Sequence, residues 1–161
     1  MFSIKAVPVF LAMLVAGAHA ESHTVHFTNR CGRGTPTLIQ GGRVLSTGGD
    51  FTSNGPLTGA IAYVNLQIRR RSCGFNGEGC TLIETTLVNP TSPGSGSSSD
   101  ISLIAPHSFS VASGFGYFNG CDGAGADCTS ASCSTAFRNP NDNQVQVACQ
   151  SNNVNLAITF C

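Results

Sequence analysis

The residues of this chain with the most defined chemistry are its eight cysteines: Cys31, Cys73, Cys80, Cys121, Cys128, Cys133, Cys149 and Cys161. A thiol binds metal, acts as a nucleophile or oxidises to a disulfide. Zinc sites use closely paired cysteines with histidines nearby, and no C-x-x-C pair occurs here, so neither a metal nor a cofactor is expected. An even count in an exported chain predicts four disulfides, which leaves no thiolate for catalysis. Serine nucleophiles find no support either, since there is no G-x-S-x-G elbow. Gly120-Cys121-Asp122-Gly123-Ala124-Gly125 is glycine-rich but precedes no helix, so it is not a phosphate loop. His23 stands third from a predicted mature start at Glu21, a spacing at which an amine, two amides and the ring can ligate Cu(II). Oxidative polysaccharide-cleaving copper enzymes need His as the first residue, so this start argues against them. Surface histidine is the plainer expectation for His23, His26 and His107.

The export signal is read from the first residues. Lys5 precedes an apolar run from Val9 to Val15, and the stretch ends Ala18-His19-Ala20. That order predicts a signal peptide over residues 1–20, cleaved after Ala20, and a single secreted domain over 21–161. The apolar run is shorter than the roughly 20 residues a membrane span takes. Only 10% of residues are charged, and beyond the signal seven arginines face eight carboxylates. A near-neutral chain offers no electrostatic handle for nucleic acid or anionic membranes. A monomer that works outside the cell or in the cell wall is expected.

The elements that must position these residues are strands. No helical periodicity runs through the mature chain. Alternating or β-branched runs recur at His23–Thr28, Ile61–Val64, Thr81–Leu87, Ile101–Ile104, Phe109–Val111, Gln144–Val147 and Asn155–Phe160. Turn residues such as Gly41-Gly42, Asn54-Gly55-Pro56, Asn76-Gly77 and Asn152-Asn153 separate them. Short strands at this spacing predict an all-β sandwich or barrel. A bridge between the first and last strands would close it at the chain ends, which suggests Cys31–Cys161. Two segments are irregular. Pro90–Ser99 reads as a flexible loop with possible O-glycosylation at 91–99, and Arg69-Arg70-Arg71 places three arginines in a basic insertion within 65–72.

In order along the chain, several pieces resemble thaumatin-like proteins, the pathogenesis-related family 5. They are Phe27-Thr28-Asn29-Arg30-Cys31; Gly41-Gly42 with Leu45 and Gly48; and Cys80-Thr81-Leu82-Ile83-Glu84-Thr85-Thr86-Leu87. Asp100-Ile101-Ser102-Leu103-Ile104 follows, with Phe109-Ser110-Val111, Gly120-Cys121 and the closing Ile158-Thr159-Phe160-Cys161. The chain is especially similar to the short eight-cysteine forms of fungi. The resemblance implies a disulfide-rich antiparallel β-sandwich of about ten strands. It agrees with Cys31–Cys161, implies Cys73–Cys80 and Cys121–Cys149, and leaves Cys128–Cys133 as the remaining pair. Full-length members carry twice as many cysteines and a second, helical domain. Here only Cys121 to Cys149 stands in its place, so that domain is reduced to loops and one wall of the family cleft is expected to be missing.

Family members hold an acidic cleft associated with binding and weak hydrolysis of β-1,3-glucan. Residue by residue, the resemblance carries over Glu84 and Asp100. Ser97 stands where a further Asp is expected, and the family Arg has no counterpart. Asp122 and Asp127 are the acids left in the shortened region, though no motif assigns either. Hydrolysis of a glycoside needs two carboxylates about 5–5.5 Å apart for retention or about 6.5–9.5 Å for inversion, one of them protonated. Glu84 is the expected acid and Asp100 its partner. Sugar rings also need flat apolar faces. Phe115-Gly116-Tyr117-Phe118, Tyr63 and Phe75 offer rings, with Tyr117 the expected exposed one. Tyr117, Tyr63 and Asp122 are therefore the candidate substrate contacts. Three functional readings follow: a wall protein binding β-glucan or another wall polysaccharide, a weak endo-β-1,3-glucanase, and a non-enzymatic defence or effector protein with a protein target.

Overall fold

A computed structural model describes residues 20–66 and 72–161; the predicted signal up to residue 19 and the Arg69-Arg70-Arg71 triplet lie outside the described residues. Alternation builds the first and last strands. In β1 (His23–Asn29) the residues His23, Val25 and Phe27 face inward, and in β11 (Asn155–Phe160) Leu156, Ile158 and Phe160 do so. Between them lie β2 (Thr35–Gln40), β3 (Arg43–Ser46), β4 (Phe51–Ser53), β5 (Leu57–Asn65) and β6 (Leu82–Leu87). The remaining strands are β7 (Ser97–Ser102), β8 (Ser113–Phe118), β9 (Gly125–Cys128) and β10 (Val147–Cys149). Gly41 and Gly42 form the two-residue β2–β3 hairpin, both with positive φ (54° and 76°), as a turn matching the strand twist requires.

The strands form two sheets, ordered β4-β1-β11-β8-β9 and β10-β7-β6-β5-β2-β3. Their facing sides share one core. Val25, Phe27, Phe115, Leu156, Ile158 and Phe160 from the first sheet belong with Leu38, Ala62, Val64, Ile83, Leu87 and Ile101 from the second. Ile39, Tyr63, Leu82, Cys73 and Cys80 make a smaller cluster on the opposite side of the second sheet. The four disulfides are Cys31–Cys161, Cys73–Cys80, Cys121–Cys149 and Cys128–Cys133.

Several expectations are corrected. β1 and β11 pair in parallel, not antiparallel. A parallel pair cannot share a hairpin, and these strands, at opposite ends of the domain, need none. β7 begins at Ser97, inside the expected loop Pro90–Ser99 and upstream of the expected strand Ile101–Ile104. Ser97 and Ser99 are buried because their hydroxyls find partners: Ser97 Oγ accepts from the Val88 amide at 2.9 Å, and Ser99 Oγ lies 2.7 Å from Thr85 Oγ1. Phe109–Val111 is not a strand, and Asn143–Val145 is a 3-10 turn that precedes β10. The shortened region between Cys121 and Cys149 retains two strands, β9 at the edge of the first sheet and β10 at the edge of the second.

Candidate functional site

Register on the second sheet brings the two carboxylates together. Glu84 on β6 and Asp100 on β7 are direct cross-strand partners, and Ile61 on β5 pairs with Glu84 from the other side. Side chains alternate across a strand. Thr85 and Ser99, one residue along from the acids, point between the sheets, where Tyr117 of β8 meets them; Glu84 and Asp100 therefore point to the outer face. They line a polar groove of about 210 Å³ together with Ile61, Thr86, Ser98 and Gln146.

The far edge of β7 explains how Asp100 comes to be shielded. β10 covers this edge opposite Ser97–Ser99. Beyond Asp100, Phe137 takes over: its amide donates to the Ile101 carbonyl at 2.8 Å and its carbonyl accepts from the Leu103 amide at 2.8 Å. Asp100 sits at the changeover, where Gln146, just before β10, hydrogen-bonds its carboxyl group. The shortened region thus contributes Gln146 to the lining of the groove. Gln146 went unnoticed because Gln144–Val147 reads only as an alternating strand.

Asp100 is 8% exposed, and its Oδ1 has no hydrogen-bond partner. Burial disfavours the charged form and pushes its pKa up to about 7; the charge on Glu84 adds to this, and the Gln146 hydrogen bond opposes it. Glu84 is half-buried. The group poised to carry a proton near neutrality is therefore Asp100, whereas the sequence reading expects Glu84 in that role.

The other candidates lie elsewhere. Tyr117, the expected exposed ring, is 3% exposed in the core. Its hydroxyl donates to the Val147 carbonyl at 2.9 Å and lies 3.0 Å from Ser99 Oγ, and burial pushes its pKa up to about 12. Tyr63 is buried in the smaller cluster, and its hydroxyl donates to the Phe75 carbonyl at 2.9 Å. Neither ring presents a face to a sugar. Phe75, at 53% exposure on the loop closed by Cys73–Cys80, is the aromatic ring that stands in solvent among the described residues. Asp122 accepts the backbone amides of Asn119 at 2.9 Å and Gly120 at 3.3 Å, which occupies its oxygens in the turn after β8. His23 is fully buried, against the expectation of a surface histidine. Its Nδ1 donates to the Val154 carbonyl at 2.7 Å, and its Nε2 lies 3.0 Å from Glu21 Oε1.

Two packed β-sheets closed by the Cys31–Cys161 bridge make a thaumatin-like fold. No protein-family model and no curated protein matches the chain by sequence. Solved structures do match by shape. The thaumatin-like xylanase inhibitor TLXI superimposes with a TM-score of 0.52 at 16% identity, over 86% of this chain and 98% of that one. The protein elicitor MoHrip2 from Magnaporthe oryzae gives a TM-score of 0.50 at 15% identity, over 88% and 99% of the two chains.

Proposed function

We propose that this chain is a secreted, wall-associated protein that binds β-1,3-glucan in the groove where Glu84 and Asp100 meet. The observation that carries this reading is the buried, unpartnered Asp100 oxygen beside a second carboxylate in a groove lined by hydroxyl and amide groups. A buried polar atom without a partner costs about 1–3 kcal/mol, and a sugar hydroxyl entering the groove would recover part of that cost. Disulfides persist outside the cell, which agrees with export. The two structural neighbours are named as an inhibitor and an elicitor, and neither as a hydrolase, which favours a binding role over turnover.

Co-sedimentation with insoluble β-1,3-glucan tests the proposal. The wild-type chain should pellet, and Glu84→Gln should weaken binding about tenfold, the value of roughly one charge-assisted hydrogen bond. Wild-type protein that stays in the supernatant would refute the reading. One observation favours the glucanase as a second reading: a carboxyl group that stays protonated near neutrality is what a general acid requires. Reducing-sugar release from laminarin that disappears in Asp100→Asn would establish it.

A further inference from the structure

The groove has a charge problem that the chain does not solve for itself. Glu84 and Asp100 face each other across adjacent strands, and like charges in that position repel. Among the described residues, the ion pairs are His23 with Glu21 and His26 with Asp50, so no described arginine or histidine forms one with either acid. The groups around Asp100 are Glu84 across the strand pair, Gln146 at the β7 edge and the Tyr117 phenol behind the sheet. None is a cation. Gln146 engages the carboxyl group, yet Oδ1 remains buried and unpartnered in a residue more than nine-tenths enclosed.

We propose that this groove is a low-affinity site for a hard divalent cation, with calcium the ion it suits. Carboxylate, amide and hydroxyl oxygens are the donors calcium prefers, and its irregular coordination tolerates a set drawn from separate strands. Asp100 and Glu84 supply the charge. Gln146 turns its amide oxygen inward after a flip, Ser98 adds a hydroxyl from the same wall, and water completes the shell. No three His, Cys, Asp or Glu side chains cluster among the described residues, so the anionic ligands number two. Two carboxylates place the affinity in the weak range of about 10⁻⁴–10⁻³ M seen for extracellular modules. Magnesium, which demands a near-ideal octahedron and sheds water reluctantly, suits the site less. The proposal rests on the groove being a ligand site, but it needs no polysaccharide, so it is tested without one.

Thermal unfolding of the oxidised chain at about pH 8, with and without roughly 10 mM CaCl2, reads the site directly. About tenfold saturation should raise the wild-type Tm by about 4 °C. Equal ionic strength of NaCl should leave it unchanged, and MgCl2 should raise it less. Glu84→Gln, at a half-exposed position where folding is not at stake, should abolish the calcium shift, and Asp100→Asn should do the same. Wild-type protein with no calcium response at pH 8, or a response that survives in Glu84→Gln, overturns the site. Failure of glucan to pellet the protein while the calcium shift persists refutes the glucan reading alone. Glucan binding without a calcium shift refutes the cation site alone.

Discussion

A buried carboxyl group that titrates near neutrality makes stability depend on pH, and the sign follows from which state holds the proton more tightly. Asp100 is raised from 3.8 to about 7 on folding, so the folded chain binds the proton and the unfolded chain releases it. The stabilisation is therefore complete below about pH 4 and is lost as pH rises towards 7. A shift of this size corresponds to about 4 kcal/mol. Asp100→Asn should remove the dependence: urea denaturation below about pH 4 should give similar stabilities for the two proteins, and near pH 8 the variant should be the more stable by about 3–4 kcal/mol. A wild-type curve that is flat between those values would show that Asp100 is ionised throughout. Glu84→Gln removes a charge that raises Asp100, so an NMR titration should find the Asp100 midpoint lower in that variant.

At the scale of elements, the seam between β7 and β8 joins the two sheets through hydroxyl groups as well as apolar contact. Tyr117 OH, Ser99 Oγ and Thr85 Oγ1 form a buried chain that ends on the Val147 carbonyl. Tyr117→Phe keeps the ring and leaves that carbonyl and the Ser99 hydroxyl short of a partner, which should cost about 1–2 kcal/mol by urea denaturation while leaving glucan binding intact. The same seam shows how far the sequence could be read. Phe115 and Tyr117 lie two apart and so must share a face, but which face is the core depends on where β6 and β7 pack, and alternation carries no such information. β7 was hidden for a related reason. Ser97, Ser98 and Ser99 have the composition of a linker; pairing with β6 and β10 makes them a strand, and hydroxyl partners on β6, β8 and the Val88 backbone let Ser97 and Ser99 be buried. By contrast, Glu84 and Asp100 are legible through the resemblance, Glu84 within Thr81–Leu87 and Asp100 at the head of Asp100–Ile104, and register supplies what the sequence does not, their direct pairing. Gly96 marks where β7 starts: a side chain there would strike the Cys149 carbonyl of β10. Gly96→Ala should displace β10 and Gln146 with it, lowering stability and raising the accessibility of Asp100, which hydrogen exchange of the β7 amides would report.

For the whole molecule, the four bridges differ chiefly in how much chain each one closes. Cys31–Cys161 spans 130 residues, whereas Cys128–Cys133 spans 5. If bridges act by limiting the unfolded chain, the first contributes about 5 kcal/mol and the second about 2 kcal/mol. The parallel pairing of β1 with β11 depends on the same closure, because no turn holds these strands together and their register runs from Val25 with Leu156 to Asn29 with Phe160. Losing the long bridge therefore removes an unfolded-state constraint and also frees the ends of two adjacent strands in the first sheet. The double variant Cys31→Ser with Cys161→Ser should lose about 3 kcal/mol more than Cys128→Ser with Cys133→Ser, measured by urea denaturation under non-reducing conditions. Equal losses would mean that the long bridge acts through native contacts rather than through chain entropy. The groove supplies an internal control: Glu84 and Asp100 belong to the second sheet, whose strand order excludes β1 and β11. In folded protein lacking the long bridge, the Asp100 titration midpoint should remain where it is in the wild type, separating what holds the molecule together from what shapes its site.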